Sequence, residues 1–414
     1  MKKKIMGALV ALFLLGNGIG APAWAAEEQP VAVASSVVQE KKTLFPVYVV
    51  QKTGNDAKRN VWLFVGDGYT VAEQEAFIHD MTSRVQRIMA MEPYRTFNGG
   101  INVYAVLVPS KESGAGRDPN KDGTGGVMKD TYFQIRHNSF GLERLAWFNG
   151  EGEKRLEEIK KDLLDNYLDP RAKIMHTSIL SNSTDYFGGG AVGYSVASLA
   201  AGEAMVIHEA SHGFANLADE YNGHPEESPN KTKITKLKKV PWKEFLGFRD
   251  VTLYTYGDGA HKPVKEGCIM NDLYRQHGYC EVCKEHVAEV LNEGLQEDRH
   301  AYYMAQPSLT IYEKDPLVTG KDIHVGNLLD ANGHALSYRT VVKNFTDKPL
   351  TFTLHLRITG TAGQVKYEAS QQWKVKAGQR RSLAIVTPVL EGLEQGDHVE
   401  MEAAGSDRNH GIKT

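Results

Sequence analysis

The stretch HEASHGFANLADEY, residues 208–221, constrains this chain more than any other part of its sequence. It contains His-Glu-x-x-His, formed by His208, Glu209 and His212. On a helix, residues four apart share a face, so the two imidazoles can bind one metal ion. Glu209 is one position along, where its carboxylate can reach a water at the metal without being a ligand. This pattern is typical of zinc peptidases, in which two histidines bind zinc and the glutamate is the general base.

A catalytic zinc ion usually takes three protein ligands, and the candidates for the third are Asp219 and Glu220. On an unbroken helix Asp219 would lie about 10 Å beyond His212, too far to share a metal. The chain must therefore turn back, and Gly213 and Asn216 are residues that permit such a turn. We predict Asp219 as the third ligand and Glu220 as the alternative. The carboxylate that does not bind the metal would hold an imidazole N–H.

Further stretches accompany this motif in the order WLFVGDGYTVAEQEAF (62–77), EPYRTF (92–97), INVYAVLVPSKESG (101–114), YFGGG (186–190), PWKEFLG (241–247) and GCIM (267–270). Together with residues 208–221 they resemble the bacterial immunoglobulin A peptidase family, metallopeptidase family sixty-four, over roughly residues 60–293. The resemblance implies a zincin-type catalytic domain of the α+β or α/β class, with a Met-turn and a metzincin-like fold. It also implies endopeptidase activity. The chain departs from the family at Ala210–Ser211 and Ala215, neither of which is a candidate ligand.

The segment before the motif helix, residues 186–198, is rich in glycine and in residues that favour strands. In Met-turn zinc peptidases the strand before the catalytic helix is an edge strand that pairs with extended substrate. Gly188, Gly189 and Gly190 would let two backbones approach each other closely. The alternative is a plain glycine turn.

Two further candidates follow from the resemblance. Met270, in GCIM, would be the Met-turn residue and pack beneath the metal; the alternative is an ordinary core methionine. Tyr221 would donate a hydrogen bond to the oxyanion, by analogy with tyrosines near zinc in related peptidases; the alternative is a packing role.

The first 25 residues predict export. Lys2 to Lys4 form a positive region, Ile5 to Leu15 form a short apolar run, and Ala23-Trp24-Ala25 is an Ala-x-Ala cleavage site. The apolar run is shorter than the roughly 20 residues that a membrane span needs. We therefore predict a signal peptide at residues 1–25, no transmembrane anchor after its cleavage, and a periplasmic or extracellular protein.

The 414 residues have room for two or three domains. Buried strands at 61–65, 103–108 and 173–180 alternate with helices over about 70–91 and 151–169, which indicates an α/β layer. From about Pro307 apolar and polar residues alternate, as in residues 350–358, which predicts an all-β sandwich. The predicted organisation is a linker or first strand at 26–59, a zinc metallopeptidase domain at 60–300 and a β-sandwich domain at 307–414.

The chain has three cysteines, and an oxidising compartment permits one disulfide and leaves one thiol. We predict a disulfide from Cys268 to Cys280 or Cys283. The Cys-x-x-Cys pair could also indicate a redox site or a structural zinc site. No thioredoxin-like strand precedes the pair, however, and no set of four zinc ligands is evident in the sequence.

Asp118, Asn120, Asp122 and Gly123 resemble the start of a calcium-binding loop. The position at which such a loop needs a bidentate glutamate is Lys129. The same residues also form ordinary turns, so a calcium site here remains a secondary hypothesis.

The formal net charge is −3 and no basic stripe is present, which argues against a nucleic-acid partner. The polar, Lys-rich residues 222–241 predict a surface loop. The function that follows is a secreted zinc endopeptidase acting on extended protein segments, and the family resemblance adds the immunoglobulin A hinge as a candidate substrate. Two alternatives stay open: a non-catalytic glycan- or protein-binding protein on a zinc scaffold, and a zinc hydrolase of cell-wall peptides.

Overall fold

The computed structural model describes residues 43–221, 227–257, 259–273, 278–323, 327–406 and 412–413. The predicted signal peptide lies outside the described residues, as do the first residues of the predicted linker. None of the described helices combines the length and the apolar character that crossing a membrane requires.

The N-terminal part of the chain alternates strands and helices. Its strands are β1 (Val47–Gln51), β2 (Asn60–Asp67), β3 (Ile101–Val106), β4 (Gly116–Arg117), β5 (Arg136–His137), β6 (Ala146–Trp147), β7 (Ile174–Ser181), β8 (Gly188–Ala191), β9 (Tyr194–Ser198), β10 (Tyr254–Tyr256) and β11 (Ala260–Lys262). The helices are α1 (Gln74–Met89), α2 (Tyr94–Phe97), α3 (Gly152–Asn166), α4 (Gly202–Ala215) and α5 (Glu281–Gly294).

A mixed sheet is the framework of this part. In the described chain its strand order is β1-β3-β2-β7-β9-β8. The four central strands are parallel, whereas β1 and β8 run antiparallel to their neighbours at the two edges. Every residue of β2 and β3 is buried, as their continuous apolar sequences predicted.

Two helical layers cover this sheet because successive residues of a strand face opposite sides. In β2, Trp62 belongs to a core shared with α1, α4 and α5, whereas Leu63 belongs to a core shared with α3. The predicted capping box before α1 is present, since Thr70 N–H donates to Glu73 at 2.8 Å. The architecture is therefore mixed α/β, with a three-layer arrangement around the sheet.

The segment predicted as one edge strand, residues 186–198, is instead a hairpin of two strands. Gly193, with φ of +86°, lies in the turn that joins β8 to β9. As a result β8 is the edge strand, and β9 lies inside the sheet and leads towards α4.

The C-terminal part forms a β domain of two antiparallel sheets. Its strands are β12 (Tyr302–Met304), β13 (Ser308–Ile311), β14 (His334–Asn344), β15 (Leu350–Thr359), β16 (Val365–Val375), β17 (Arg380–Leu390), β18 (His398–Gly405) and β19 (Ile412–Lys413). In one sheet β14 pairs with β12, β13 and β17; in the other the order is β16-β15-β18-β19. Alternate residues of β15, such as Leu354 and Leu356, enter one shared core. The sheet that contains β14 also includes β12, which lies before residue 307, the predicted start of the β domain.

The β domain is joined to the helical part by contacts of two half-buried arginines, Arg339 and Arg380. The Arg380 guanidinium donates to the Glu285 carboxylate at 2.5 Å and to Pro241 O at 2.8 Å. The Glu285 side chain is fully buried. Arg339 donates to the backbone oxygens of Glu244 and Leu246. Burial raises the pKa of Glu285, and the charge of Arg380 opposes that shift.

We predict that Arg380→Met lowers the free energy of unfolding by about 3 kcal/mol, because it removes the ion-pair partner of a buried carboxylate. The loss should shrink at low pH, where Glu285 is protonated and needs no counter-charge. Urea denaturation measures it. Arg381→Met is the matched control: among the described residues this neighbouring guanidinium donates to Lys374 O at an exposed site, so the change should stay within about 0.5 kcal/mol. Equal losses in the two variants would contradict a role for the ion pair.

Candidate metal centre and active site

Helix α4 brings the two motif histidines together. His208 is buried and His212 half-buried on one face of the helix, with their Nε2 atoms 3.2 Å apart. The helix ends at Asn216, which adopts the left-handed conformation with φ of 50°. Gly213 and Asn216 were the two residues expected to let the chain turn back, and the chain turns at Asn216. Gly213 stays inside the helix, where a Cβ would lie 2.5 Å from Ala191 O, so its role is close packing against β8.

The reversal returns Asp219 to the histidines. Asp219 Oδ1 lies 3.1 Å from His208 Nε2 and 3.2 Å from His212 Nε2. Tetrahedral zinc with ligands at about 2.0–2.1 Å places its ligand atoms about 3.3 Å apart. The three donor atoms therefore have the spacing and chemistry of a zinc ligand set. This group is one of two among the described residues whose donor atoms lie close enough together to hold one metal ion.

The orientation of each imidazole is set by a backbone carbonyl. Ile269 O lies 3.0 Å from His208 Nδ1, and Leu217 O lies 2.6 Å from His212 Nδ1. Carbonyl oxygens only accept, so each Nδ1 carries the proton and each Nε2 is directed at Asp219. Burial lowers the pKa of His212, but hydrogen bonding to Asp219 and its charge raise that pKa to about 9 overall. Burial raises the pKa of Asp219, and the two histidines outweigh burial and lower it.

Glu220 does not join the histidines. Its side chain is fully buried elsewhere, and its Oε1 accepts a hydrogen bond from Asn230 at 3.0 Å. The structure thus brings Asp219 to the histidines and directs Glu220 towards a group of cysteines.

Asn230 holds the returning loop, and no pattern in the sequence indicated it. Its side chain exchanges hydrogen bonds with Ala218 N and O at 2.8 and 2.9 Å. The expectation of a surface loop over residues 222–241 is therefore wrong for Asn230, Lys231 and Thr232, which are fully buried. An asparagine in a Lys-rich segment has the sequence pattern of an exposed residue. Its burial becomes evident only from the loop with which it forms hydrogen bonds. Residues 222–226 lie outside the described residues.

The Glu209 carboxylate lies against the edge strand. A Cβ on Gly188 would be 3.0 Å from Glu209 Oε1, and one on Gly190 would be 3.0 Å from Oε2 and 2.6 Å from the Glu209 backbone oxygen. A Cβ on Gly189 would meet Ala146 O at 2.4 Å. The glycines therefore permit close approach and are more than a plain turn. Burial raises the pKa of Glu209, and the charges of the two histidines oppose that shift.

Met270 and Tyr221 border the cluster. Met270 is fully buried, its backbone oxygen accepts from Glu220 N–H at 2.8 Å, and it follows Ile269, which contacts His208. The Tyr221 ring is nearly parallel to the His208 ring at 6.2 Å between centroids, and 58% of the residue is exposed.

The remaining sequence candidates form other contacts. Cys268, Cys280 and Cys283 are free thiols, so the disulfide expected from Cys268 is not formed. Their sulfurs lie within 4.8 Å of one another, and those of Cys268 and Cys283 are 3.8 Å apart.

The candidate calcium residues form a turn. Asp122 accepts from the Thr124 N–H at 2.9 Å, Asn120 accepts from Arg117, and Asp118 pairs with Arg136 at 3.4 Å. These side chains bind neighbouring protein groups.

No curated protein matches the chain. Matching solved structures include wild-type OgpA from Akkermansia muciniphila, at 10% identity over 88% of this chain and 94% of that one, with a TM-score of 0.27. Catalytically inactive OgpA in complex with an O-glycopeptide matches at 12% identity over 88% and 93%, with a TM-score of 0.25. A calcium-binding mutant of Bacteroides uniformis β-glucuronidase 2 matches at 19% identity over 26% of this chain and 12% of that one, with a TM-score of 0.18. This chain thus spans about an eighth of the glucuronidase, and TM-scores this low do not establish a common fold.

The family comparison is informative. The family model described as IgA Peptidase M64 matches residues 48–254, which run from β1 to β10 and include α4 with both histidines, Glu209 and the returning loop. The match covers half of the chain. The family is one of metallopeptidases, in agreement with a cluster of two imidazoles and a carboxylate spaced for one metal ion. The chain belongs to the IgA peptidase M64 family, and is a peptidase of that family.

Proposed function

We propose that the chain is a zinc-dependent endopeptidase that cleaves extended protein segments. His208, His212 and Asp219 hold the zinc ion, and Glu209 is the general base. The observation that carries the proposal is the mutual spacing of 3.1–3.2 Å among the three donor atoms, which agrees with a tetrahedral zinc site.

Held by His208, His212 and Asp219, a zinc ion would supply Lewis-acid chemistry, that is, polarisation of the scissile carbonyl and a lower pKa for a nearby water. Glu209 accepts the proton of that water on its carboxylate and returns it to the leaving amine. The position of Glu209 suits this role, because its carboxylate lies against the edge strand β8 and close enough to the two histidines for their charges to affect its pKa.

Tyr221 and Met270 complete the proposed site. A tyrosine hydroxyl is protonated at neutral pH and donates hydrogen bonds, so Tyr221 can stabilise a developing oxyanion from its exposed position beside His208. Met270 is the proposed Met-turn residue of a metzincin-like fold. Its support is full burial and its place directly after Ile269, whose carbonyl orients His208.

The edge strand β8 is the proposed substrate-binding element. In an antiparallel pair the backbone groups of alternate residues point to the partner and away from it. Ser198 N–H donates to Phe187 O, and Gly188 N–H donates outward to Arg144 O. By the same alternation the N–H and C=O of Gly190 face outward, beside Glu209. An extended peptide that pairs with this edge would pass the general base.

Export completes the proposal. Residues 1–25 have the three parts of a signal peptide, which supports export and a substrate outside the cytoplasm. The C-terminal β domain has the role of a binding or spacing module. Casein represents extended chains in general, and the immunoglobulin A hinge is a specific candidate because it too is extended.

We predict that Glu209→Gln lowers kcat/KM on casein by at least about a hundredfold and leaves the zinc content unchanged, because the amide cannot accept the proton. Cleavage is followed by mass spectrometry of the fragments, and zinc by elemental analysis. Wild-type activity in a zinc-loaded variant would rule out Glu209 as the base.

The same assay tests the substrate with the wild-type protein. One cut in the hinge of serum or secretory immunoglobulin A identifies that substrate, whereas intact heavy chain beside degraded casein excludes it. A parallel digest of peptidoglycan tests the cell-wall alternative.

We predict that Asp219→Ala weakens zinc binding at the histidine site by at least about a hundredfold, because it removes one of three protein ligands. Competition with a chromophoric chelator measures the affinity. Asp219→Asn is the conservative comparison: it keeps an oxygen donor and should retain part of the affinity. Unchanged affinity in Asp219→Ala would show that another residue supplies the third ligand.

We predict that Gly190→Ala lowers kcat/KM at least about tenfold, because the new Cβ would lie 2.6 Å from the Glu209 backbone oxygen and displace β8 from the helix. Overpacking of this kind also costs about 1–3 kcal/mol of stability. Gly99→Ala is the matched control, since a Cβ there meets no atom within 4 Å. Wild-type kinetics in Gly190→Ala would contradict a role for the close approach.

A further inference from the structure

A second group of metal-ligating side chains lies outside the active site and has no part in the proposed catalysis. It consists of Glu220, Cys268, Cys280 and Cys283, each of which has one donor atom within 4.8 Å of the others. Three of these residues are fully buried and Cys280 is 8% exposed. Burying four ionisable groups side by side costs free energy, because charged groups lose their hydration and repel one another. A bound cation removes this cost, and so does protonation of all four groups.

The distances within this group correspond to those around a metal ion. Cys268 Sγ and Cys283 Sγ are 3.8 Å apart, far beyond the roughly 2.05 Å of a disulfide. Cys283 Sγ is 3.5 Å from Glu220 Oε1. Tetrahedral zinc, with sulfur at about 2.3 Å and oxygen at about 2.0 Å, predicts separations of about 3.8 Å between sulfurs and about 3.5 Å from sulfur to oxygen. We propose that Glu220, Cys268, Cys280 and Cys283 form a structural zinc site, separate from the catalytic one.

The start of helix α5 favours thiolates at this position. Cys280 is the N-cap of the helix and Cys283 lies in its first turn. The partial positive charge at a helix N-terminus stabilises a thiolate nearby. In addition, the Cys280 N–H points at Cys268 Sγ at 3.4 Å. The backbone therefore places partial positive charge beside Cys280 and Cys283 and directs one N–H at the sulfur of Cys268.

Glu220 provides an independent indication of a ligand. Its Oε2 is buried and has no hydrogen-bond partner among the described residues, while Oε1 accepts from Asn230. An unpaired buried carboxylate oxygen is costly, and a bound cation removes that cost. Three thiolates and a carboxylate around a divalent ion carry a net charge of about −2. Lys262 offsets part of it, since its buried ammonium donates to Glu220 O at 3.0 Å. Thiolate-rich sites select zinc among the common divalent ions.

The proposed ion would join three segments that build the active site. Glu220 directly follows Asp219, the proposed third catalytic ligand. Cys268 directly precedes Ile269, whose carbonyl orients His208. Cys280 and Cys283 begin α5, which packs in the same core as α4. A structural ion here would fix the returning loop and the Ile269 carbonyl relative to α4. It would also account for all three cysteines, whereas a disulfide leaves one unpaired.

The test uses the full chain with the catalytic ligands removed, so that it is independent of the proposed function. The variant His208→Ala/His212→Ala is dialysed against zinc, freed of loose metal by gel filtration and analysed for zinc per chain. We expect one zinc ion, which is lost at least about a hundredfold more readily to a chelator when Cys283→Ser is added. Val282→Ala in the same background is the matched control: it removes the neighbouring buried side chain and should retain the ion.

Two further measurements keep the test decisive where Cys283→Ser fails to fold. Cobalt loaded into His208→Ala/His212→Ala should show an intense thiolate-to-cobalt charge-transfer band, which nitrogen and oxygen ligands alone do not produce. The thiols of the zinc form should resist a thiol reagent until a chelator and denaturant are added. A disulfide detected by mass spectrometry would overturn the proposal. So would a His208→Ala/His212→Ala chain that retains no zinc after dialysis against zinc and gel filtration and has three reactive thiols.

Discussion

The candidate active site depends on one backbone conformation, the left-handed residue at the end of α4. Asn216 ends the helix there, and an asparagine tolerates this conformation better than most residues because its short side chain can hydrogen-bond locally. Without the reversal, Asp219 would continue along the helix axis, away from His212. With it, a single carboxylate oxygen lies within 3.2 Å of both imidazoles. The spacing of the donor set is thus a consequence of where the helix stops.

A reversal alone does not hold a ligand in position, and the structure supplies supports from distant parts of the chain. Asn230 binds both backbone groups of Ala218, and the Met270 carbonyl accepts from the N–H of Glu220. The neighbouring Ile269 carbonyl orients His208. The segment around residues 268–270 therefore contacts both the returning loop and His208. Because this segment packs in the same core as α4 and α5, the geometry of the candidate site depends on how these two helices pack.

Much of this arrangement could be predicted from local patterns. The i, i+4 spacing of His208 and His212 requires only that the segment be helical, and residues 202–215 form that helix. Continuous apolar runs predicted β2 and β3, and the alternation in residues 350–358 predicted β15. Each of these features is set by residues within one element, so a sequence window contains the whole cause.

The remaining features are set by contacts between elements, and only the tertiary structure decided them. The hairpin within residues 186–198 formed because β9 pairs with β7, which left the glycines of β8 at the edge beside Glu209. The burial of Asn230 follows from the loop it supports. The three cysteines suggested a disulfide because the sequence offered no fourth ligand. Folding placed Glu220, 48 residues before Cys268, among them. The sequence by itself determined the placement of the two histidines and of Glu209, because one helical turn relates them. Which carboxylate joined the histidines and which joined the cysteines was decided by the direction in which the chain leaves Asn216.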